Sequence, residues 1–191
     1  MGTQPLLMLQ FTIRHISEVS STNTVALEAA KQGVREGLVI TADHQTAGRG
    51  KPGRQWLSPS GKNLLCSILL RPPLSPAQAP MLTQVACRAV AKVLKEKYDI
   101  VSEFKRPNDV MVGPRKICGI LVEAFSTLSK LEAAVIGIGL NVNTETMELS
   151  HEGVSMRVLK DKEYPLGEVL GHILEELDCK CSELYKNSTI K

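Results

Sequence analysis

The chain has 191 residues, of which 43% are hydrophobic and 23% are charged, and its formal net charge is +3. This length and composition are ordinary for a globular domain with its own core, and the net charge is too small to imply nucleic-acid binding by itself. No apolar stretch is long enough to span a bilayer, and the amino-terminal residues lack the pattern of a signal peptide. We therefore expect a single cytoplasmic domain over residues 1–191.

The cysteines, five in all, are an odd number and lie in apolar or helical runs. We interpret them as reduced, buried thiols. Cys179 and Cys181 stand close together, but they lack the second cysteine pair or the nearby histidines that a structural zinc site needs.

Hydrophobic patterning predicts elements in the order β-α-β-β-α-β-β-β-α. The predicted strands cover residues 11–16, 38–42, 64–70, 102–105, 117–125 and 131–142, and the predicted helices end near residues 34, 97 and 185. This order indicates an α+β fold with a mixed, mainly antiparallel central sheet flanked by helices. The strand at 131–142 is nearly all apolar, which is typical of a central strand, and residues 126–130 predict a hairpin before it.

The loop between the second and third predicted strands, Gln45–Trp56, combines three glycines with three cations: Gly48, Arg49, Gly50, Lys51, Gly53 and Arg54. Glycines let the main chain approach a ligand, and the cations can neutralise phosphate or carboxylate. The glycine spacing also fits dinucleotide-binding and kinase loops. However, no helix follows it, and the kinase H-R-D and D-F-G motifs are missing. We predict a loop that closes over an anionic, reactive intermediate.

Two more motifs carry polar groups at predicted element ends. Ser21, Thr22 and Asn23 begin the first helix, where they can cap it or help to bind an anion or polar group. In the second motif, Pro107 fixes a turn that aims Asn108 and Asp109 at a site. Lys105 and Lys116 flank these two residues and add positive charge.

The last motif is Gly137–Asn143, which places glycines inside an apolar strand. Such glycines weaken a strand unless something packs close to its backbone, and a β-bulge is the alternative interpretation. Asn141 and Asn143 are two residues apart, so their amides should share a face and could recognise a purine or ureido edge.

Together these motifs resemble the catalytic domain of biotin–protein ligases, the biotin–[acetyl-CoA-carboxylase] ligase group. The resemblance rests on the order and spacing of residues 21–23, 45–56, 58–64, 105–109, 116–123 and 137–143, and it covers about residues 12–185. It implies the fold of class II synthetase and biotin ligase cores. It also implies a two-step reaction, in which biotin and ATP form biotinyl-5′-AMP with Mg²⁺, and a lysine of a biotin carboxyl carrier domain then accepts biotin.

The resemblance also implies roles for individual residues. The residues expected to act in catalysis are Arg49, Lys105 and Lys116. The residues expected to bind biotin are Ser21, Thr22, Asn23, Gln45, Gly48, Arg49, Lys51, Lys116 and Gly119. The residues expected to bind ATP are Arg54, Trp56, Lys105, Asn108 and Asn141, and Asp109 is the candidate metal ligand.

The sequence departs from the family pattern at two positions. Lys51 stands where arginine is usual, so it keeps the charge but loses the planar, two-pronged contact, and we expect looser retention of the adenylate. Arg106 stands where tryptophan is usual, which removes an aromatic wall and adds charge. No helix-turn-helix segment precedes the resemblance and no β-barrel domain follows it, so DNA binding is not expected.

Two alternatives remain. A lipoate or octanoate ligase or transferase shares the fold and the transfer to lysine, and a non-catalytic biotin- or nucleotide-binding protein would explain Lys51 and Arg106. Such ligases also form edge-strand dimers, with the strand at 131–142 as a candidate edge or core element, so a homodimer stays open.

Overall fold

A computed structural model describes residues 9–50, 53–128 and 130–188. The strands are β1 (Thr12–Val19), β2 (Leu38–Gln45), β3 (Leu64–Leu70), β4 (Glu103–Lys105), β5 (Asp109–Val112), β6 (Arg115–Ser126) and β7 (Leu131–Leu140). The helices are α1 (Thr22–Lys31), α2 (Pro80–Tyr98), α3 (Met156–Lys160) and α4 (Leu166–Ser188), and short 3-10 turns cover Pro76–Gln78 and Thr146–Glu148.

The strands form one sheet in the order β1-β2-β3-β7-β6-β5-β4. Only β1 and β2 run parallel among these neighbouring strands, and every other pair is antiparallel. The predicted mixed, mainly antiparallel α+β fold is therefore confirmed. β7 lies in the middle of the sheet and is buried on both faces, so it is a core strand and not an edge.

The two faces of the sheet are covered differently. Helices α2 and α4 pack against each other and cover one face, which carries the larger hydrophobic cluster. Helix α1 covers part of the other face, where a smaller cluster joins Ala26 and Ala30 to Ile40, Leu69, Ala133 and Val135. The rest of this second face lies beyond α1 and is lined by Gly137 and Gly139, which continue the alternation of Ala133 and Val135 along β7.

Two elements differ from the sequence-based expectation. Residues 109–112 form β5, whereas the sequence pattern predicts a turn at Asn108 and Asp109. Residues 156–160 form the short helix α3, whose cap is the Ser155 hydroxyl accepting from Val158 N at 3.1 Å. Both elements are too short for a hydrophobic period to reveal them.

Four cysteines (Cys66, Cys87, Cys118 and Cys181) are buried as predicted, and Cys179 is partly buried. Burial raises the pKa of the Cys66 and Cys87 thiols to about 12, so both remain protonated at neutral pH. No helix in the described part of the chain is long and apolar enough to cross a membrane.

Candidate functional site

A cavity opens on the sheet face that α1 leaves uncovered. It is bounded by the start of α1, the loop after β2, the turn before β5, and the middle of β6 and β7. The lining residues with polar or charged side chains are Ser21, Thr22, Asn23, Gln45, Arg49, Arg54, Gln55, Trp56, Asn108, Asp109 and Lys116. Four sequence motifs that are far apart in the chain therefore meet at one site.

The glycines of the central strands make room for side chains. Gly137 faces the Asn23 side chain, and a Cβ at position 137 would collide with Asn23 Oδ1. Pairing of β7 with β3 and β6 is continuous through residues 137 and 139, so the β-bulge interpretation is wrong. The glycines are there because something packs closely on the backbone.

Trp56 lies over two further glycines of the central strands. Gly119 and Gly139 are cross-strand partners in β6 and β7. A Cβ at position 139 would lie 2.5 Å from Trp56 Cε2, and one at position 119 would lie 2.9 Å from Cζ3. The indole thus packs closely against two strands, and its Nε1 is buried without a hydrogen-bond partner among the described residues.

A chain of polar side chains underlies the cavity. Gln45 Oε1 accepts from Thr22 N at 2.8 Å and lies 3.1 Å from Thr22 Oγ1. Ser67 Oγ lies 2.7 Å from Thr22 Oγ1 and 2.6 Å from Asn23 Oδ1. Thr22, Asn23 and Ser67 are all buried, so the contacts among these three residues are made away from water, and Gln45 is partly buried.

Glu123 extends this chain to the glycine-rich loop. Its Oε2 accepts from Asn23 Nδ2 at 2.8 Å and from Arg49 Nη2 at 2.6 Å. The Arg49 guanidinium is therefore neutralised by Glu123. An incoming anion would have to compete with Glu123 for Arg49.

The ammonium group of Lys116 is the second cation at the cavity. It lies 2.7 Å from Asp109 Oδ1 and 5.3 Å from the centroid of the Trp56 ring, within cation–π range. Across β5 and β6, Asp109 pairs with Gly119 and Met111 pairs with Lys116, so the ion pair runs diagonally between the two strands. The pair leaves Lys116 only partly exposed and fixed beside the indole.

The glycine-rich loop folds back on itself. Gly50 N donates to Arg54 O, and Trp56 N donates to Gly48 O, both at 2.9 Å. A Cβ at position 48 would collide with the Trp56 carbonyl, so glycine is needed for this close approach. Lys51, predicted to bind biotin, lies outside the described residues.

A second cavity adjoins the first and shares Gln45, Arg54, Trp56 and Lys116 with it. Asn141 lines this cavity but is already bonded, since its Nδ2 donates to Val154 O at 3.1 Å. Asn143 does not share the role predicted for it. Its amide donates to Tyr164 O and accepts from Tyr164 N, both at 2.9 Å, because it anchors the segment before α4.

The predicted site residues are thus mostly together. Ser21, Thr22, Asn23, Gln45, Arg49, Arg54, Trp56, Asn108, Asp109, Lys116 and Gly119 line the first cavity. Gly48 is buried in the loop beside it, and Asn141 lines the second cavity. Lys105 is exposed at the end of β4 and lines neither cavity, so its role stays a prediction.

Sequence reasoning missed two residues of this site. Ser67 is fully buried in β3 and makes its contacts through Thr22 and Asn23. Its signal was a lone hydroxyl in the apolar run Leu64–Leu70. Glu123 was recognised as part of a motif, but its ion pair with Arg49 could not be read from residues that stand 74 positions apart.

Comparison with known proteins agrees with this geometry. Residues 16–141, more than half of the chain, match the model of the Biotin/lipoate A/B protein ligase family. The chain belongs to this family.

Among curated relatives, it is 34% identical over 174 residues to the bifunctional ligase/repressor BirA of Bacillus subtilis, a match that covers 91% of this chain and 51% of the relative. It is 29% identical over 170 residues to the biotin–[acetyl-CoA-carboxylase] ligase of Mycobacterium tuberculosis, covering 86% of this chain and 62% of the relative. The chain thus spans only about half to three fifths of the length of these relatives.

Among solved structures, the chain is similar to the biotin protein ligase from Aquifex aeolicus in complex with biotin and ATP. The TM-score is 0.77 at 29% sequence identity, and the match covers 92% of this chain and 72% of that chain.

Proposed function

We propose that this chain is an ATP-dependent biotin–protein ligase that forms biotinyl-5′-AMP and passes biotin to a lysine of a biotin carboxyl carrier domain. The observation that carries the proposal is one cavity that combines an oxygen-rich polar cluster with three cations, Arg49, Arg54 and Lys116. Family membership and the named activities of the relatives support the same assignment.

The polar cluster suits the ureido ring of biotin. Thr22 Oγ1 and Gln45 Oε1 are hydrogen-bond acceptors at the cavity, and the ureido N–H groups are donors. The dithiolane of lipoate carries no N–H group and could not donate to the remaining lone pairs of these oxygens, so it would forgo hydrogen bonds that biotin can make. The cluster therefore favours biotin over lipoate within this family.

The cations suit the first chemical step, in which the biotin carboxylate attacks the α-phosphorus of ATP and pyrophosphate leaves. Two anions repel each other, so fixed positive charge must offset the repulsion and stabilise the charge that develops on phosphorus. All three cations line the first cavity. In the proposed reaction Lys116 would meet the carboxylate, and Arg49 and Arg54 would meet either anion once Arg49 leaves Glu123.

We assign the nucleotide to the region where the two cavities meet. Trp56 and Arg54 line both of them, and Asn141 lines the second. Trp56 offers an aromatic face and Arg54 a phosphate-binding guanidinium. Lys105 and Asn108 complete the proposed nucleotide set, and Lys51 belongs by family analogy to the proposed biotin set.

Mg²⁺ fits the residues of the turn before β5. Asn108 Oδ1 is buried and has no hydrogen-bond partner in the described part of the chain, and the Asp109 carboxylate follows it. Mg²⁺ prefers oxygen ligands and takes one or two carboxylates together with substrate phosphates. When bound, it would neutralise phosphate charge, while Asp109 and Asn108 hold it and Lys116 keeps Asp109 oriented.

The acceptor would be the carrier domain of a carboxylase, whose lysine amine attacks the mixed anhydride. The folded-back glycine-rich loop would exclude water until that amine arrives. Homodimerisation through an edge of the sheet is retained as a proposal, with β1 and β4 as the edges among the described strands.

The experiment is a paired labelling reaction. The protein is incubated with MgATP, a carrier domain, and either biotin or lipoate, and pyrophosphate release and acceptor labelling are followed. Biotin-dependent release with labelling of one lysine supports the proposal. Lipoate-dependent labelling supports the related lipoate ligase, and binding without pyrophosphate release supports a non-catalytic binding protein.

A further inference from the structure

We infer that Ser67 is a positioning residue for biotin: it sets the direction of the hydrogen bonds under the cavity so that Thr22 and Gln45 present acceptor oxygens to the ligand. Ser67 does not line the cavity and acts through its neighbours. The inference rests on the proposed function and adds a specificity-determining residue to it.

The orientation of the Asn23 amide starts the argument. Its Nδ2 donates to Glu123 Oε2 at 2.8 Å and to Leu121 O at 3.3 Å, and both partners can only accept. These two acceptors fix which end of the amide is nitrogen. Asn23 Oδ1 therefore faces Ser67, and because an amide oxygen has no proton, the Ser67 hydroxyl must be the donor in their 2.6 Å contact.

Ser67 has a single proton, so the 2.7 Å contact with Thr22 Oγ1 must use the proton of Thr22. The direction is then Thr22 to Ser67 to Asn23. It leaves no hydroxyl proton for the 3.1 Å contact between Thr22 Oγ1 and Gln45 Oε1. Both oxygens keep lone pairs available, and both residues line the cavity.

The fold makes this arrangement specific to Ser67. Ser67 pairs with Gly137 across β3 and β7, and Leu121 pairs with Gly137 across β6 and β7. The Asn23 side chain thus sits over three neighbouring strands. One strand donates to its oxygen, one accepts from its nitrogen, and the glycine between them leaves the space.

Without the Ser67 hydroxyl, the Thr22 proton would turn to Gln45 Oε1. That acceptor would then be occupied, and Asn23 Oδ1 would be left buried without a donor. Both changes oppose binding of a ligand that offers N–H groups.

The test measures biotin affinity of Ser67→Ala by calorimetry. We expect the Kd for biotin to rise about tenfold, with the KM for ATP at saturating biotin changed by less than about twofold. The double variant Ser67→Ala/Asn23→Ala should bind biotin no more weakly than Asn23→Ala alone, because both changes reverse the same chain of hydrogen bonds.

Ser155→Ala is the matched control. Ser155 is also fully buried, and its hydroxyl donates to Thr144 O at 2.6 Å, outside this chain of contacts. It should lower the Tm and leave the Kd for biotin unchanged. If Ser67→Ala does not fold, Ser67→Cys keeps a side chain with a weaker donor at the position and should shift the biotin Kd in the same direction.

Wild-type biotin affinity in a folded Ser67 variant, an equal loss in Ser155→Ala, or full additivity with Asn23→Ala would overturn the inference. A wild-type protein that binds no biotin would overturn the proposed function first, and the inference with it.

Discussion

Replacing Gly139 with alanine tests whether Trp56 packs directly on the backbone of β7. The new methyl group would stand 2.5 Å from Cε2 and 2.9 Å from Cζ2 and Nε1 of the indole. A rigid ring cannot absorb such an overlap by rotating a flexible end, and β7 is held between β3 and β6. The indole, and the loop that carries it, must therefore move.

Inserting a methyl group into a well-packed site costs about 1–3 kcal/mol. If displacement of Trp56 relieves that strain, the free energy that favours the binding position of the loop falls by the same amount. Since about 1.4 kcal/mol corresponds to tenfold in affinity, the Kd for the nucleotide should rise roughly 5- to 150-fold.

The assay uses intrinsic fluorescence, because Trp56 is the chain's sole tryptophan. Gly139→Ala should shift the emission to longer wavelength and increase quenching by acrylamide. Gly171→Ala is the matched control: a Cβ at this position in α4 meets nothing within 4 Å, and the change should stabilise the helix by up to about 1 kcal/mol. Wild-type emission and wild-type nucleotide affinity in Gly139→Ala would show that Trp56 does not depend on close packing against Gly139.

Three further predictions concern the fold and the loop. Arg71→Ala should lower the free energy of unfolding by about 2–3 kcal/mol in urea titrations, because the guanidinium donates to the carbonyls of Ala30, Val34 and Glu132. Biotin affinity should not change. An unchanged unfolding curve would contradict this role. At mildly alkaline pH a thiol reagent should modify Cys179 rapidly and the buried cysteines only on unfolding. Burial also raises the pKa of the Cys66 and Cys87 thiols above the ordinary value of 9.0. The stability that these protonated thiols contribute is therefore fully present below pH 9.0 and is lost as the pH rises above it, because the unfolded chain ionises first. Lys51→Arg should release biotinyl-AMP more slowly than the wild type, and equal release rates would refute this.

The long elements could be predicted from the sequence because their hydrophobic periods are clear. The apolar run of β7 indicated a central strand, and the stripes of α2 and α4 indicated the helices that cover one face. Strand β5 has four residues and follows directly on a turn, so it depends on its partners β4 and β6 for its definition. No local pattern could show it.

The residues of the candidate site could be predicted from the sequence, but their hydrogen-bond and ion-pair partners could not. The motif residues around Thr22, Gln45 and Lys116 are in one cavity, as expected. Which side chains are already bonded within the protein depends on how helices, strands and loops meet in the fold. Asn143 bonds to Tyr164, Arg49 to Glu123 and Asn23 to Ser67. Residue spacing alone contains none of these pairings.

We propose above that the cations of this cavity allow the biotin carboxylate to attack the α-phosphorus of ATP. Exchange of label between pyrophosphate and ATP measures that reversible step without any acceptor protein. We predict exchange that requires biotin and that falls by at least about tenfold in Lys116→Ala, because the proposed role of the Lys116 ammonium is to stabilise the charge that develops on phosphorus. Exchange that proceeds equally without biotin, or no exchange with biotin and MgATP both present, would contradict the account.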